Sequence, residues 1–528
     1  MKGAIAFYTV GREARCLKGK TTILGGALLL TATNLFLRLV SIGFNVFLTE
    51  EIGASGLGLL QLISTVSVFA LLVGSSGVRV AAMFLCAEEF GHRRLGGVKG
   101  AMSSCLTYGV IVSSAVGITS FFLADFFANS WLGDPRATLS IRCMALFLPF
   151  TCLCGIMTGY FTACSRIRQL VIIEIGERLL SLLLTVILLL TWAKRDLERS
   201  CCAIILGSSL GCVADYILLY AMYHRDTRGI TKDKSLSIGS RLIRLCIPLA
   251  LNDYLRSGLN TAEQLLIPYG LARYGGSTEE AMGAYGTIHA MVFPVLMFPA
   301  AVLYSLSDLL VPELSRAKAM GRRLRIIDLT DKCLRLTFLF ASAVAGFLFL
   351  CAEPLSLWLY KSADAGQYLR IFAPMVLMLY LDAIVDGMLK GLAEQISCVR
   401  YNTITSAMDV VFLFLLLPKY GILAYILSFL ITHGINLWLS IRRLLMVTRY
   451  RFRPIELCRP FLSLVLSGIL SLSLPSGILR GFYFLLLLGA FYILGDATLP
   501  KDRQWLKRVF RESFKHKAMN YTKSSTDK

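Results

Sequence analysis

Apolar residues in this chain run continuously, with neither the strict alternation of a half-buried strand nor the single stripe of a soluble helix, and short polar breaks divide them into long stretches. About 20 such residues in helical form cross the hydrocarbon of a bilayer. The pattern predicts spans at 22–48, 57–86, 100–128, 138–163, 170–193, 201–223, 242–271, 282–312, 333–352, 367–389, 401–418, 421–441, 460–474 and 481–495, which makes about 14 transmembrane helices. The first of these carries Arg38 near its middle. A cation at that depth costs about 2.5–3.5 kcal/mol on insertion scales, so it needs either a water-filled substrate path or a carboxylate on a neighbouring helix.

Hydropathy repeats itself as well. After the first span the chain reads GASGLGLLQLISTVSVFALLVGSSGVRVAAMF and then a basic loop; after the seventh it reads GGSTEEAMGAYGTIHAMVFPVLMFPAAVLY and again a basic loop, with Arg322 and Arg323. The fourth span ends in GIMTGYFTAC from Gly155 and the tenth in GMLKGLAEQ from Gly387, so a pair of small residues four apart recurs where helices can approach closely. Units of six spans keep both copies in the same orientation, related by an axis along the membrane normal. The expected fold is an all-α polytopic membrane protein with two pseudo-symmetric six-helix lobes and two further C-terminal helices. The segments are a tail at 1–21, an N-lobe at 22–223, a linker at 224–241, a C-lobe at 242–441, two extra helices with a basic loop at 442–495, and a basic tail at 496–528. Duplicated bundles of this kind commonly bind substrate between lobes and rock between two openings, which makes transport the leading reading.

Composition agrees with the pattern: of 528 residues 56% are hydrophobic and 16% charged, with mean hydropathy +0.67. The net charge of +21 changes the picture only once it is placed. Most of the 54 Lys and Arg lie in the two tails and in the alternate loops beginning at Cys86, Cys164, His224, Glu313, Lys390 and Arg442, while the opposite loops hold few. That asymmetry predicts both termini in the cytoplasm of a plasma-membrane protein and removes any need for nucleic acid as a partner. The basic N-terminus leads into an apolar run longer than a signal peptide's, so the first span is expected to stay. The 15 Cys are scattered and lack zinc spacing, and there is no HExxH, phosphate-binding loop or dinucleotide loop. No metal or other cofactor is expected, and short basic loops leave little room for an enzyme's catalytic domain.

The repeat gives Arg38 a counterpart in Arg256, set as deep in the seventh span. Asn45 follows Arg38 by seven residues and Glu263 follows Arg256 by seven, close to two helical turns, so each pair shares a face. Asp253, Arg256, Asn260 and Glu263 together form a polar stripe. These residues and Arg79 are the substrate-binding candidates; Arg79 lies near the end of its span, where its head can also reach the interface. Glu174, Asp382 and Asp386 are the ion-coupling candidates, with a local pair between Glu174 and Arg178 at i,i+4 as the plainer reading of the first. Asp409 has no partner visible in the sequence.

The run RLVSIGFNVFLTEEIGASGLGLLQLISTVSVFALLVGSSGVRVAAMFLCAEEFG resembles the N-terminal region of the stage V sporulation protein B and polysaccharide-biosynthesis transporter family, within the multidrug/oligosaccharidyl-lipid/polysaccharide exporter superfamily. Arg38 with Gly43, the segment 52–61, Ser76 with Gly77 and the AEEFG run at 87–91 carry the resemblance, which extends to GIMTGYF and DGMLKGLAEQ. It implies lobes arranged as a V and the movement of undecaprenyl-pyrophosphate-linked sugars, peptidoglycan precursors included, to the outer leaflet. Family members often carry a second basic residue where this chain has Asn45. The implied partners are a lipid-linked anionic sugar, membrane lipids and cell-wall synthesis enzymes, with the chain itself a monomer, in sporulation or wall synthesis. A cation-coupled multidrug exporter, which would use acidic cavity residues, and a non-transporting scaffold for envelope assembly are the alternatives.

Overall fold

In the computed structural model, residues 23–494 are described except 93, 165, 194–195, 232–237, 276, 451–454 and 475–476. Both expected tails, and parts of the linker and of the basic loop after the twelfth span, therefore lie outside the described residues. The longer helices are α1 (Ile23–Ser75), α2 (Val78–Gly91), α3 (Leu95–Phe122), α4 (Thr138–Ala163), α5 (Ile167–Leu188), α6 (Leu197–Thr227), α7 (Ile238–Tyr274), α8 (Thr278–Gly286), α9 (Ala300–Ala319), α10 (Arg323–Tyr360), α11 (Ala363–Phe372), α12 (Val376–Gly391), α13 (Gln395–Tyr420), α14 (Ile422–Thr448), α15 (Ile455–Ser471) and α16 (Ile478–Leu494). No strand occurs among the described residues, and the protein is all-α. Among the described residues each expected span falls mainly on helix. Eight helices among the described residues are long and apolar enough to cross a membrane, or nine if the pair interrupted after Met297 counts as one. Helices such as α3 leave Ile111, Ile118 and Phe122 exposed, as lipid contact requires.

The breaks differ from those read in the sequence. The loop expected at 49–56 is instead a bend inside α1, at Gly53, whose φ of 69° suits a residue without a Cβ. The second span is itself broken, because Ser76 and Gly77 adopt φ values of 46° and 72° between α1 and α2. Two tyrosines hold that break: Tyr254 donates to Ser76 Oγ at 2.8 Å and Tyr108 to the same oxygen at 3.1 Å. Tyr254 also donates to the Val73 carbonyl at 3.2 Å, while the Ser76 N–H keeps its helical bond to the Leu72 carbonyl at 3.0 Å.

Contacts divide the chain into two compact units, residues 1–305 with 399–435 and residues 306–398 with 436–528. These boundaries follow packing, whereas 22–223 and 242–441 follow the sequence repeat. The first unit has a buried core in which Val78, Leu85, Met102, Ile156, Met157, Phe161 and Leu242 meet. Small residues set how closely its helices cross. A Cβ on Gly159 would stand 2.6 Å from the Arg79 carbonyl oxygen, and a Cβ on Gly286 would collide with the Ala54 carbonyl, just as one on Gly58 would with that of Met282. The α1 and α8 backbones thus cross at reciprocal glycines, a contact between the two segments that repeat in the sequence. In the second unit Gly391 lies so near Val311 that a Cβ would be 2.9 Å from its carbonyl oxygen, and Gly387 meets Ser307. Helix α12 therefore approaches α9 through the same small-residue pattern by which α4 approaches α2. Phe484, Leu488 and Tyr492 of α16 pack on Leu339 of α10 to form a separate core there.

Candidate functional site

Arg38 and Asn45 share a face of α1, and both reach the stretch after α8. That stretch winds as a π-helix over Thr287–Val292, continues as α-helix over Phe293–Met297 and stops at Phe298 and Pro299. Pro294 has no N–H to return to the Ala290 carbonyl four residues earlier. The N–H of Ala301, four residues beyond Met297, goes to the Phe298 carbonyl instead. Asn45 Nδ2 donates to the Ala290 oxygen at 2.9 Å and Arg38 Nη1 to the Met297 oxygen at 2.5 Å. Donors seven residues apart on α1 thus meet acceptors seven apart on an antiparallel partner. The two prolines in FPVLMFP were a signal that the sequence offered for these acceptors.

Beyond Met297 the Arg38 guanidinium lies 5.3 Å from the Tyr304 ring centroid, within cation–π range. It borders an open cavity of about 540 Å³ shared with Ser41, Glu174, Glu177, Arg178 and Tyr304. Residues 174, 177 and 178 occupy one face of α5 by their i,i+3 and i,i+4 spacing. Arg178 Nη2 donates to Ser41 Oγ at 3.1 Å, and Ser181 Oγ donates to Glu177 Oε1 at 2.8 Å. The expected Glu174–Arg178 ion pair does not form: Arg178 turns to Ser41, and Glu174 is exposed on the cavity wall.

The remaining candidates disperse. Arg79 is exposed, its side chain passing over Gly155. On α7, Asp253 is half-buried while Arg256 and Asn260 are exposed, and none of the three lines the Arg38 cavity. Glu263 turns to a different cluster. Its carboxyl stands beside that of Asp409, which accepts from Ser428 Oγ at 2.5 Å and Thr432 Oγ1 at 3.2 Å. Asp409 thereby gains partners that sequence reasoning missed, although Thr405/Asp409 and Ser428/Thr432 show the i,i+4 spacing of facing polar stripes. In the second unit Asp382 accepts two hydrogen bonds from Asn436 Nδ2, at 3.0 and 3.2 Å, with Asp386 half-buried one turn further along α12. No group of three His, Cys, Asp or Glu suited to a metal ion occurs among the described residues.

Comparison with known proteins gives this arrangement a context. Stage V sporulation protein B of Bacillus subtilis (strain 168) is 23% identical over 381 residues, which cover 71% of this chain and 73% of that protein. Sporulation protein YkvU of the same organism is 19% identical over 357 residues, 66% of this chain and 78% of that protein. Among solved structures, the lipid II flippase MurJ in an inward closed conformation superposes with a TM-score of 0.69 at 13% identity, over 90% of this chain and 99% of that one. An inward-facing multidrug resistance MATE family transporter gives 0.59 at 14% identity, over 79% and 96%. At such identities the structural likeness speaks for the fold, that of polytopic transporters of the MOP superfamily. The sequence match is broader in kind: residues 23–318, more than half of the chain, fit the family described as polysaccharide biosynthesis protein, and this multi-pass membrane protein belongs to that family.

Proposed function

We propose that the chain carries lipid-linked, pyrophosphate-bearing sugars, of the undecaprenyl type and including peptidoglycan precursors, to the outer leaflet by alternating access. Its termini are then cytoplasmic, its partners membrane lipids and the enzymes of wall synthesis, and its role transport without chemistry. The observation that supports this reading is the open cavity among apolar helices with Arg38 and Arg178 on its wall. A guanidinium offers five donors in a planar fork, and each arginine spends only part of that set on its protein acceptor. The remaining donors suit phosphate oxygens. Outward movement of two negative charges is driven by an inside-negative potential and is favoured by about 4.6 kcal/mol at 100 mV, twice the roughly 2.3 per charge. A second reading, a cation-coupled multidrug exporter, has Glu174 and Glu177 in the same cavity in its favour.

The test is binding and flipping by purified, reconstituted protein. A short-chain polyprenyl pyrophosphate sugar should bind saturably and cationic drugs should not; saturable binding of the drugs alone reverses the order of the two readings. An Arg38→Ala, Arg178→Ala double variant should lose flipping while remaining in the membrane. The Met297 carbonyl loses its donor, at a cost of about 1–3 kcal/mol, which a modest drop in melting temperature would report. Arg38→Lys keeps the charge but not the fork, so partial activity is expected. Full flipping by the double variant removes the assignment, and the same assay on Arg256→Ala decides whether α7 contributes to the head-group site.

A further inference from the structure

We infer that the Arg38 cavity takes a zwitterionic head group, its anionic part on Arg38 and Arg178 and a primary ammonium on Glu174 and Glu177. The inference rests on the flippase reading and specifies the class of lipid-linked sugar. Four formal charges line this space and sum to zero. A wall made only for a pyrophosphate would be cationic, because each carboxylate facing the same low-dielectric space repels the anion it is meant to hold.

The carboxylates stand near the arginines without being paired to them. Among the described residues no ion pair joins Glu174 or Glu177 to Arg38 or Arg178; every one of the pairs within 4.0 Å involves other residues. Each arginine is steered by a neutral acceptor, Arg38 by the Met297 carbonyl and Arg178 by the Ser41 hydroxyl. Glu177 is steered by a neutral donor, Ser181, through Oε1. Neutral partners fix the direction of a charge without cancelling it. What remains is a wall with both signs displayed separately, and α5 supplies the acidic pair and one cation from one face. A carboxylate held this way inside an apolar bundle gains most from a cation that arrives with the ligand. An ammonium, compact and carrying three donors, fits two acidic side chains one turn apart. A sugar or peptide that bears a free primary amine near a phosphate satisfies all four groups together; a head group without the amine leaves Glu174 and Glu177 facing its phosphates.

The experiment compares two synthetic probes on purified full-length protein in detergent at low salt: a short-chain polyprenyl pyrophosphate sugar-peptide with a free primary amine, and the same compound N-acetylated. Wild type should bind the acetylated probe about tenfold more weakly. In Glu174→Gln, Glu177→Gln the difference should shrink below about twofold, chiefly because the acetylated probe binds better once the carboxylates no longer repel it. Glu174→Gln alone, at an exposed position, should give an intermediate difference and guards against misfolding of the double variant. Measurable and equal binding of both probes to wild type overturns the ammonium site and leaves the flippase reading standing. A tenfold difference that persists in the double variant overturns it too, since the amine is then recognised elsewhere. Failure of wild type to bind either probe overturns both the inference and the reading on which it rests.

Discussion

Glu394, just before α13, lies outside the membrane spans, and Arg443 donates to it from Nε at 3.0 Å and Nη2 at 2.7 Å. This two-pronged contact holds the carboxyl below its ordinary range. A folded-state pKa below the unfolded value of about 4.3 means that the stabilisation is complete above that value and is lost as pH falls through the folded one. Because the pair is partly exposed, its worth is about 0.2–1 kcal/mol. Glu394→Gln should therefore melt slightly below wild type at pH 7, and the two melting curves should converge toward pH 3; curves that stay parallel across that range would show the ion pair to be without consequence. Arg38 teaches a different lesson at this scale. Its depth was readable from hydropathy; the prolines of FPVLMFP marked where carbonyls come free, but which of them Arg38 meets was decided by the packing of α1 on that stretch.

At the scale of elements, the reciprocal crossing of α1 and α8 at Gly58 and Gly286 is the closest geometric constraint on the helices that hold Arg38 and Asn45. Gly286→Ala puts a methyl group against the Ala54 carbonyl, and backbone on both sides leaves little room to yield. Overpacking of this kind costs about 1–3 kcal/mol. The variant should lose thermal stability by that amount and, since the π-helix beginning at Thr287 must shift, lose flipping as well. Gly283→Ala, one turn earlier with open space at its Cβ position, is the control and should behave as wild type. Equal stability of both variants would mean that the helices separate at this point without cost.

For the whole molecule, the basic loops orient the chain. The external loop expected near Gly275 and Gly276 includes one residue, Gly276, outside the described set, so its exposed neighbour Glu279 serves as the probe. In cells, an impermeant maleimide should label Glu279→Cys above the wild-type background and leave Arg322→Cys untouched; the reverse pattern would turn the topology over. The two compact units do not coincide with the two repeats, and that difference has a cause. A repeat records duplication along the chain, while packing is decided by whichever helix faces meet: 242–305 pack with the first six spans, and 399–435 join them through Asp409 and its neighbours.

Bilayer length and continuous apolarity were enough to determine the helices, because in hydrocarbon each backbone must satisfy its own hydrogen bonds and helix is the local way to do so. The sequence also located the buried charges and the small-residue pairs that let helices touch. Only the tertiary structure decided what those charges meet. Arg178 chose Ser41 over Glu174, four residues away on its own helix, and Glu263 left the stripe of α7 for Asp409 on α13. Partners of this kind lie more than a hundred residues apart, and which of them meet depends on helix rotation and crossing, on Gly53, Gly77, Pro294 and Pro299 breaking regular helices at particular points, and on no local property of the residues that finally meet.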